Sequence, residues 1–350
     1  MVPRVLFGRG AFNQISEVID PKRQKSKPWI YFVDHYFKGR SLPGCIPLRD
    51  GDQILFIDTS EEPKTTQVDE LRDEFQELFG EISGIIGLGG GSVLDLTKAV
   101  SLMMTHPGSS VLYQGWDLLE QPGVYHVGIP TLSGTGAEVS RTAVLTGPEK
   151  KLGLNSDFTP FDQVILDPEL IQVVPANQRF FTGMDCYIHC IESLTGTYLN
   201  AFSKSYGEMA LDLCREVFLE KNVWDDASDD MLMMASWHGG MSIAYSQVGV
   251  AHAMGYGLSY LMGIKHGIGN CMVFDQLEEF YPEGVKIFKQ IVDKHQVSIP
   301  KGVCAMLSDA QFSHMIQVSL GLAPLWENAL GKDWEQVITP EKLRKMYEKI

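Results

Sequence analysis

The stretch SGIIGLGGGSVLDLTKAV (83–100) decides the fold class of this chain. Its first seven residues are typical of a buried strand, and the residues that follow Ser92 have the apolar spacing of a helix. A glycine-rich turn between a strand and a helix lets backbone N–H groups approach a bound phosphate. The stretch therefore predicts a phosphate-binding turn, with packing alone as the alternative reason for the glycines. It departs from the usual GxGxxG pattern, because Ser92 stands where the last glycine would be.

Short β-branched runs alternate with helical stretches on both sides of this turn. We interpret four runs as strands: WIYFVD (29–34), QILFID (53–58), SGIIGLG (83–89) and YHVGIPT (125–131). Between the second and third runs, apolar residues recur at helical spacing, and Thr66 followed by Asp69 predicts a capping pair at the start of that helix. Strands joined by crossover helices indicate a parallel sheet.

The β-type runs end near residue 170. Two long stretches beyond it, at 179–199 and 231–263, are typical of buried helices. We therefore predict an α/β dinucleotide-binding domain over residues 1–170 and an all-α domain over residues 171–350. Since no flexible linker separates them, a ligand is expected in the cleft between the two domains.

Charge and composition exclude several classes of protein. The chain has 350 residues, of which 44% are hydrophobic, and its 29 Lys and Arg against 44 Asp and Glu leave a net charge of −15. This charge repels nucleic acid and anionic membranes. No apolar run reaches the roughly 18 residues that span a bilayer, and no signal peptide or secreted-type cysteine spacing is visible. We predict a cytoplasmic protein with reduced thiols that binds neither nucleic acid nor membranes.

A second set of residues is typical of a metal site. Asp185 and His189 are four residues apart on a predicted helix and project from one face, and His252 and His266 follow. Three imidazoles and one carboxylate suit Zn²⁺ or Fe²⁺. The alternative is a solvated or mutually hydrogen-bonded pair. The apolar neighbours of Asp185 and His252 favour the metal, because an unpaired buried charge is costly.

Four motifs occur in order: GGGSxxD at 89–95, PTxSGTGxEVS at 130–140, DxxxHxxE at 185–192, and His252 with His266 before a glycine. Together they resemble the iron-containing, or group III, alcohol dehydrogenase family over nearly the whole chain. The resemblance implies a dinucleotide-binding α/β domain, a helical domain, and a metal and active site in the cleft between them. It also implies a homodimer that oxidises an alcohol with NAD, or with NADP.

Residue roles follow from this resemblance by position. It implies that Asp185, His189, His252 and His266 hold the metal. It further implies that the cofactor is bound by Asp34, Gly90, Gly91, Ser92, Asp95, Thr131, Ser133, Thr135 and Lys151. A carboxylate at Asp34 would bind the adenosine ribose and disfavour the 2′-phosphate of NADP. The alternative for Asp34 is a solvated turn residue.

Two positions depart from the family pattern and predict catalytic or substrate contacts. Tyr256 stands where the family commonly has a further histidine, so its hydroxyl is predicted to move a proton or to shape a different pocket. Arg141 stands where the family usually has an uncharged residue, which favours an anionic substrate, with a surface salt bridge as the alternative. With Tyr256, the run at 150–170 resembles the branch that oxidises the C8 hydroxyl of the lipopolysaccharide sugar acid 3-deoxy-D-manno-octulosonate (Kdo) for a partner aminotransferase.

Two other functions stay open at this point. A metal- and NAD-dependent cyclase or lyase like dehydroquinate synthase would need several cations for a substrate phosphate or phosphonate. The chain offers few near its motifs, namely Lys151, Arg141 and Arg179. A non-catalytic, metal-stabilised binding protein would lose stability on treatment with a chelator without having any redox activity.

Overall fold

The computed structural model describes residues 1–350, which divide into two compact units. The first unit comprises Met1–Leu132 and Ala137–Val174, and the second comprises Ser133–Gly136 and Pro175–Ile350. The short segment Ser133–Gly136 therefore belongs with the second unit, although the residues on either side of it belong to the first.

The first unit is built on a parallel sheet. Its strands are β1 (Val5–Phe7), β2 (Trp29–Asp34), β3 (Gln53–Ile57), β4 (Gly84–Gly89), β5 (Gly115–Trp116), β6 (His126–Pro130), β7 (Thr142–Thr146), β8 (Lys151–Asn155) and β9 (Gln163–Leu166), and its helices are α1 (Ile15–Ile19), α2 (Thr65–Phe79) and α3 (Gly91–Met103). Six strands form one sheet in the order β1-β9-β6-β4-β2-β3, and all of its neighbouring pairs are parallel. The remaining strands form a small sheet, β5-β8-β7, that the sequence analysis did not predict.

The central strands are apolar on both faces because a hydrophobic core covers each side of the sheet. Ile30 and Phe32 of β2 belong to one core, and Tyr31 and Val33 of the same strand belong to the other. Successive side chains of a strand point to opposite faces, so a strand buried on both sides has no polar alternation. This explains the continuous apolar run WIYFVD.

The glycine turn lies at the carboxyl ends of the central strands. β2 ends at Asp34, β4 at Gly89 and β6 at Pro130, and these three strands are neighbours in the sheet. The chain continues from β2 to β3 on one side and from β4 to β6 on the other, so the two connections diverge between β2 and β4. Parallel α/β sheets bind their ligands at such a point.

The predicted capping pair of α2 is wrong. The helix begins at Thr65, and neither Thr66 nor another side chain caps it. Asp69 instead accepts hydrogen bonds from the Ser109 hydroxyl at 2.6 Å and from the Ser110 N–H at 2.8 Å. A contact some 40 residues away in sequence thus replaces the local cap.

The second unit is helical. Its helices are α4 (Ala176–Thr195), α5 (Ala201–Arg215), which a π-helical turn extends to Glu220, α6 (Asp226–Tyr245), α7 (Val250–Met262), α8 (His266–Phe274), α9 (Pro282–His295), α10 (Asp309–Leu320), α11 (Ala323–Leu330), α12 (Trp334–Val337) and α13 (Pro340–Tyr347). None of the helices combines the length and the apolar character that crossing a membrane requires. An α/β unit and an all-α unit confirm the predicted fold class, whereas the domain boundaries and the cleft stay predictions.

Candidate metal centre and cofactor turn

Four side chains of the helical unit converge on one point, and we call them the metal cluster. Asp185 and His189 lie one turn apart on α4, His252 lies on α7, and His266 begins α8. The Nε2 atoms of His252, His266 and His189 lie 3.5, 3.7 and 3.8 Å from the Asp185 carboxylate oxygens. A tetrahedral ion with bonds of about 2.1 Å spaces its ligand atoms about 3.4 Å apart. The cluster therefore has the dimensions of a site for a small divalent metal.

The metal cluster is buried, and some of its polar atoms lack hydrogen bonds, which also indicates a metal site. Asp185, His189 and His252 are at most 2% exposed, which excludes the solvated pair. The Asp185 Oδ2 and His252 Nε2 atoms are buried and make no hydrogen bond. Buried polar atoms rarely lack a partner, and a divalent cation would provide one for both.

The electrostatics of the metal cluster arise from the close packing of its charges. Burial alone would raise the pKa of the Asp185 carboxyl, but the three imidazoles around it outweigh burial and hold that pKa well below its usual value. Burial lowers the pKa of His189 to about 3. Burial would also lower the pKa of His252, but the carboxylates of Glu192 and Asp185 raise it to about 9. In the metal-free protein near pH 7, the His252 ring is therefore doubly protonated and positively charged, and the His189 ring is neutral.

We expect metal uptake to weaken as the pH falls. Because the pKa of His252 is about 9, the ring carries a second proton at lower pH, and a divalent ion must displace that proton in order to bind. The apparent Kd for Zn²⁺ should therefore rise about tenfold for each pH unit between pH 8 and pH 6. Competition with a chromophoric chelator, corrected for the proton affinity of the chelator itself, measures this slope. A Kd that does not change over this range would contradict the prediction.

Asn270 contacts two residues of the metal cluster, although the sequence analysis assigned it no role. Its amide nitrogen donates to Asp185 Oδ1 at 2.8 Å and lies 3.1 Å from His266 Nε2. Helices α7 and α8 approach closely at this point. Residue 255 is a glycine, and a Cβ there would lie only 2.1 Å from Asn270 Oδ1. The position of Asn270, one helical turn after His266, is the only sequence signal that points to it.

Tyr256 lies beside the metal cluster. It follows His252 by one turn of α7, and its ring centroid is 5.5 Å from that of His266. The structure thus brings together the four metal-cluster residues and Tyr256.

The three cations near the motifs are all paired with carboxylates. Arg141, in the α/β unit, lies 2.9 Å from Asp157 and 3.2 Å from Asp117, and both carboxylates are exposed. This is the surface ion pair that the sequence left open for Arg141. Buried Lys151 pairs with Glu62, and Arg179 pairs with Asp229 at 3.1 Å. Because Lys151 and Arg179 are little exposed and already paired, they are not available to a substrate phosphate, so the dehydroquinate synthase alternative is not favoured.

The glycine turn presents open backbone at the start of α3. Gly90 precedes the helix, and no side chain caps its first N–H groups. Gly91 and Ser92 are partly exposed, so an anion can reach these groups. Asp34 lies beside the turn: a Cβ added to Gly89 would be 3.2 Å from the Cβ of Asp34. Its carboxylate also accepts the Tyr36 N–H at 3.0 Å, so Asp34 is an ordered turn residue as well.

Asp95 and Lys98 fasten α3 to the segment that enters β7. Asp95 accepts the Val144 N–H at 3.1 Å, and Lys98 donates to the Ser140 hydroxyl and the Thr142 carbonyl, each at 3.0 Å. Burial raises the pKa of Asp95 and lowers that of Lys98, which lies 4.0 Å away. Lys98 was missed in the sequence analysis, since a single lysine in a helix gives no sign of burial.

The PTLSGTGAEVS loop is divided between the two units of the chain. The Thr131 N–H donates to the Gly89 carbonyl at 2.9 Å, which ties the start of the loop to the glycine turn. Ser133 and Thr135 lie in the segment that belongs with the helical unit. There Gly134 has a φ of +142°, and a Cβ at this position would lie only 1.7 Å from the Thr182 carbonyl oxygen of α4. The buried Ser133 hydroxyl has no hydrogen-bond partner.

Comparisons with known proteins agree with this architecture. The model of the iron-containing alcohol dehydrogenases matches residues 3–168, and that of the C-terminal domain of the Fe-containing alcohol dehydrogenase family matches residues 180–306. The chain therefore belongs to the iron-containing alcohol dehydrogenase family. This family binds a divalent metal and NAD. Membership confirms the resemblance that the four motifs indicated.

Individual relatives give the range of similarity. The sulfoacetaldehyde reductase of Bilophila wadsworthia is 32% identical over 220 residues, which is 61% of this chain but only 56% of the relative, so the match spans little more than half of that enzyme. The NAD-dependent methanol dehydrogenase of Bacillus methanolicus is 27% identical over 77% of this chain and 71% of its own. The structure of a sulfoacetaldehyde reductase from Bifidobacterium kashiwanohense in complex with NAD⁺ has a TM-score of 0.78 at 22% identity, over 98% of this chain and 96% of that one.

Proposed function

We propose that the protein is a metal-dependent dehydrogenase that oxidises a primary alcohol to an aldehyde by hydride transfer to NAD. The observation that carries the proposal is the metal cluster, in which the buried Asp185 Oδ2 and His252 Nε2 atoms have no hydrogen-bond partner. A divalent ion, Fe²⁺ or Zn²⁺, would lower the pKa of an alcohol hydroxyl from about 16 towards about 7, which favours loss of the hydride. Family membership favours this function over a non-catalytic binding protein.

The residues of this chain would bind and orient the reactants. The uncapped N–H groups at the start of α3 would bind the diphosphate of NAD, and Asp34 would accept hydrogen bonds from the adenosine ribose. The buried Ser133 hydroxyl has no hydrogen-bond partner in the protein, and it would form a hydrogen bond with the nicotinamide half of NAD. The Tyr256 hydroxyl, on a ring that contacts His266, would take the place of the family histidine and move the alcohol proton.

Gly91→Val should weaken NAD binding without loss of metal. A branched side chain at the start of α3 occupies the space where the diphosphate approaches the backbone, so the Kd for NAD should rise at least about tenfold. Gly44→Val is the matched control, because nothing lies within 4 Å of a Cβ at that position. Asp34→Gly should in addition narrow the preference for NAD over NADP. Fluorescence titration measures both, and unchanged nucleotide binding in both variants would place the cofactor elsewhere.

For the substrate, we propose a sugar acid, namely Kdo oxidised at its C8 hydroxyl. The support is the resemblance of residues 150–170 and Tyr256 to the Kdo-oxidising branch, and the name of the sulfoacetaldehyde reductases, whose substrate is also anionic. Arg141 would bind the carboxylate after exchanging one of its exposed partners, since a surface ion pair contributes only about 0–1 kcal/mol. A homodimer and a partner aminotransferase that consumes the aldehyde belong to the same proposal.

Kdo should be oxidised with a kcat/KM at least about tenfold above that of short aliphatic alcohols, which corresponds to about 1.4 kcal/mol. A pocket that forms hydrogen bonds with several hydroxyls of a sugar acid leaves its own polar groups unpaired when ethanol binds, and this penalises ethanol. Arg141→Ala should reduce kcat/KM for Kdo but not for neutral polyols, whereas Arg344→Ala, which also removes an exposed paired arginine, should change neither. Nicotinamide absorbance follows the reaction. A preference for methanol or ethanol would contradict the substrate, and equal losses for acid and polyol would contradict the role of Arg141.

A further inference from the structure

Glu192 contacts the metal cluster from outside. Its Oε2 atom accepts a hydrogen bond from His252 Nδ1 at 2.5 Å, and both residues are 1% exposed. We propose that Glu192 is a positioning residue, which sets the tautomer of His252 and increases the affinity of the cluster for a divalent ion. This inference rests on the metal site of the proposed function, but not on the substrate or the cofactor.

The position of Glu192 follows from the helix that carries it. Asp185, His189 and Glu192 stand at positions i, i+4 and i+7 of α4, so all three project from one face of this helix. Two of them belong to the metal cluster, and the third lies one turn beyond, next to His252 of α7. One helix thus supplies both a pair of ligands and the support for a third ligand.

The carboxylate of Glu192 is itself held in place. Its Oε1 atom accepts the Ala251 N–H at 2.6 Å and the Tyr281 hydroxyl at 3.4 Å. The Tyr281 oxygen in turn accepts the Val250 N–H at 3.2 Å. Because the first turn of α7 and Tyr281 fix one oxygen, the other oxygen faces His252 in a single orientation.

This contact decides which nitrogen of His252 is available to a metal. A neutral imidazole has one N–H and one lone pair, so a proton held on Nδ1 by Glu192 leaves the lone pair on Nε2. The Nε2 atom is the one that lies 3.5 Å from Asp185 and makes no hydrogen bond. In the opposite tautomer a proton would point into the cluster and a buried carboxylate would face a lone pair.

Glu192 also changes the charge of the site. Three neutral imidazoles and Asp185 alone would leave a formal charge of +1 around a divalent ion. With Glu192 hydrogen-bonded to one ligand, two buried carboxylates balance the ion, so the buried group as a whole is neutral. Carboxylates that bond to a metal-bound histidine in this way typically change metal affinity by about 10- to 100-fold.

The test compares metal affinity in two Glu→Gln variants of the full chain. Glu192→Gln keeps the shape of the side chain but removes its charge and one of its two acceptor atoms. Glu278→Gln is the matched control, because Glu278 is exposed and pairs only with Lys289 on the surface. After removal of metal, competition with a chromophoric chelator at alkaline pH, where no extra proton on His252 competes with the ion, should give a Zn²⁺ Kd about 10- to 100-fold higher for Glu192→Gln, and a wild-type Kd for the control.

A second measurement separates positioning from a merely structural role, since Glu192 also caps α7 through the Ala251 N–H. In metal-free wild-type protein at alkaline pH, where the His252 ring is neutral and no metal fixes its tautomer, ¹⁵N histidine NMR should show the remaining proton of His252 on Nδ1. This spectrum decides the question even if Glu192→Gln does not fold. A wild-type Kd in Glu192→Gln, or a His252 proton on Nε2, overturns the role of Glu192 alone. Absence of Zn²⁺ binding by the wild type overturns the proposed metal site as well.

Discussion

Replacement of His252 by alanine is expected to abolish turnover. His252 Nε2 is a buried atom of the metal cluster that has no hydrogen-bond partner, and His252 is one of the four residues that could hold the ion. A shift in an alcohol pKa from about 16 to about 7 corresponds to roughly 12 kcal/mol. Loss of even half of this stabilisation lowers kcat at least about 10⁴-fold. We therefore expect both kcat and bound metal to fall below detection.

The measurement combines metal content, steady-state kinetics and thermal unfolding. His252→Ala leaves the buried Glu192 carboxylate without its imidazole partner, so some loss of stability is expected. His266→Ala serves as the companion variant, because its side chain is 25% exposed and its removal disturbs the core less. His314→Ala, at an exposed histidine of α10, should behave as wild type. Stoichiometric metal and unchanged activity in His252→Ala would overturn the assignment of the metal site.

Gly134→Ala is expected to destabilise the helical unit more than other single-methyl additions. The new Cβ would lie 1.7 Å from the Thr182 carbonyl oxygen, which is backbone and cannot rotate away. The φ of +142° adds strain, because side chains rarely adopt this conformation. The backbone strain and the shift of the loop away from α4 should together lower the free energy of unfolding by about 3 to 5 kcal/mol.

A second glycine separates the two causes. Gly263, at the end of α7, also has a positive φ of +66°, but nothing lies within 4 Å of its Cβ position. Gly263→Ala should therefore show the conformational cost alone, about 1 kcal/mol. Denaturant unfolding gives both values. Equal stabilities for the two variants would show that the close contact with Thr182 is not formed.

Features that depend on local spacing could be predicted from the sequence. The parallel strands, the glycine turn and the helical second half follow from hydrophobic periodicity, which acts within one element. The metal cluster follows from the four-residue spacing of Asp185 and His189 and from the ligand chemistry of imidazole and carboxylate. The predictions of strands and helices agree with the structure because most of their apolar residues are buried, and periodicity and burial are tightly linked there. The metal role of the four cluster residues stays a prediction.

Long-range contacts decided the rest. Glu192 meets His252 across 60 residues of sequence, and Lys98 meets Ser140 across 42, so neither contact leaves a local signal. The same is true of Arg141, whose partners Asp117 and Asp157 come from separate loops. Even the SGTG loop, which follows a strand in sequence, packs with the helices because Gly134 fits against α4. Sequence spacing specifies which face of an element a side chain occupies, but only packing between elements brings that side chain to its partner.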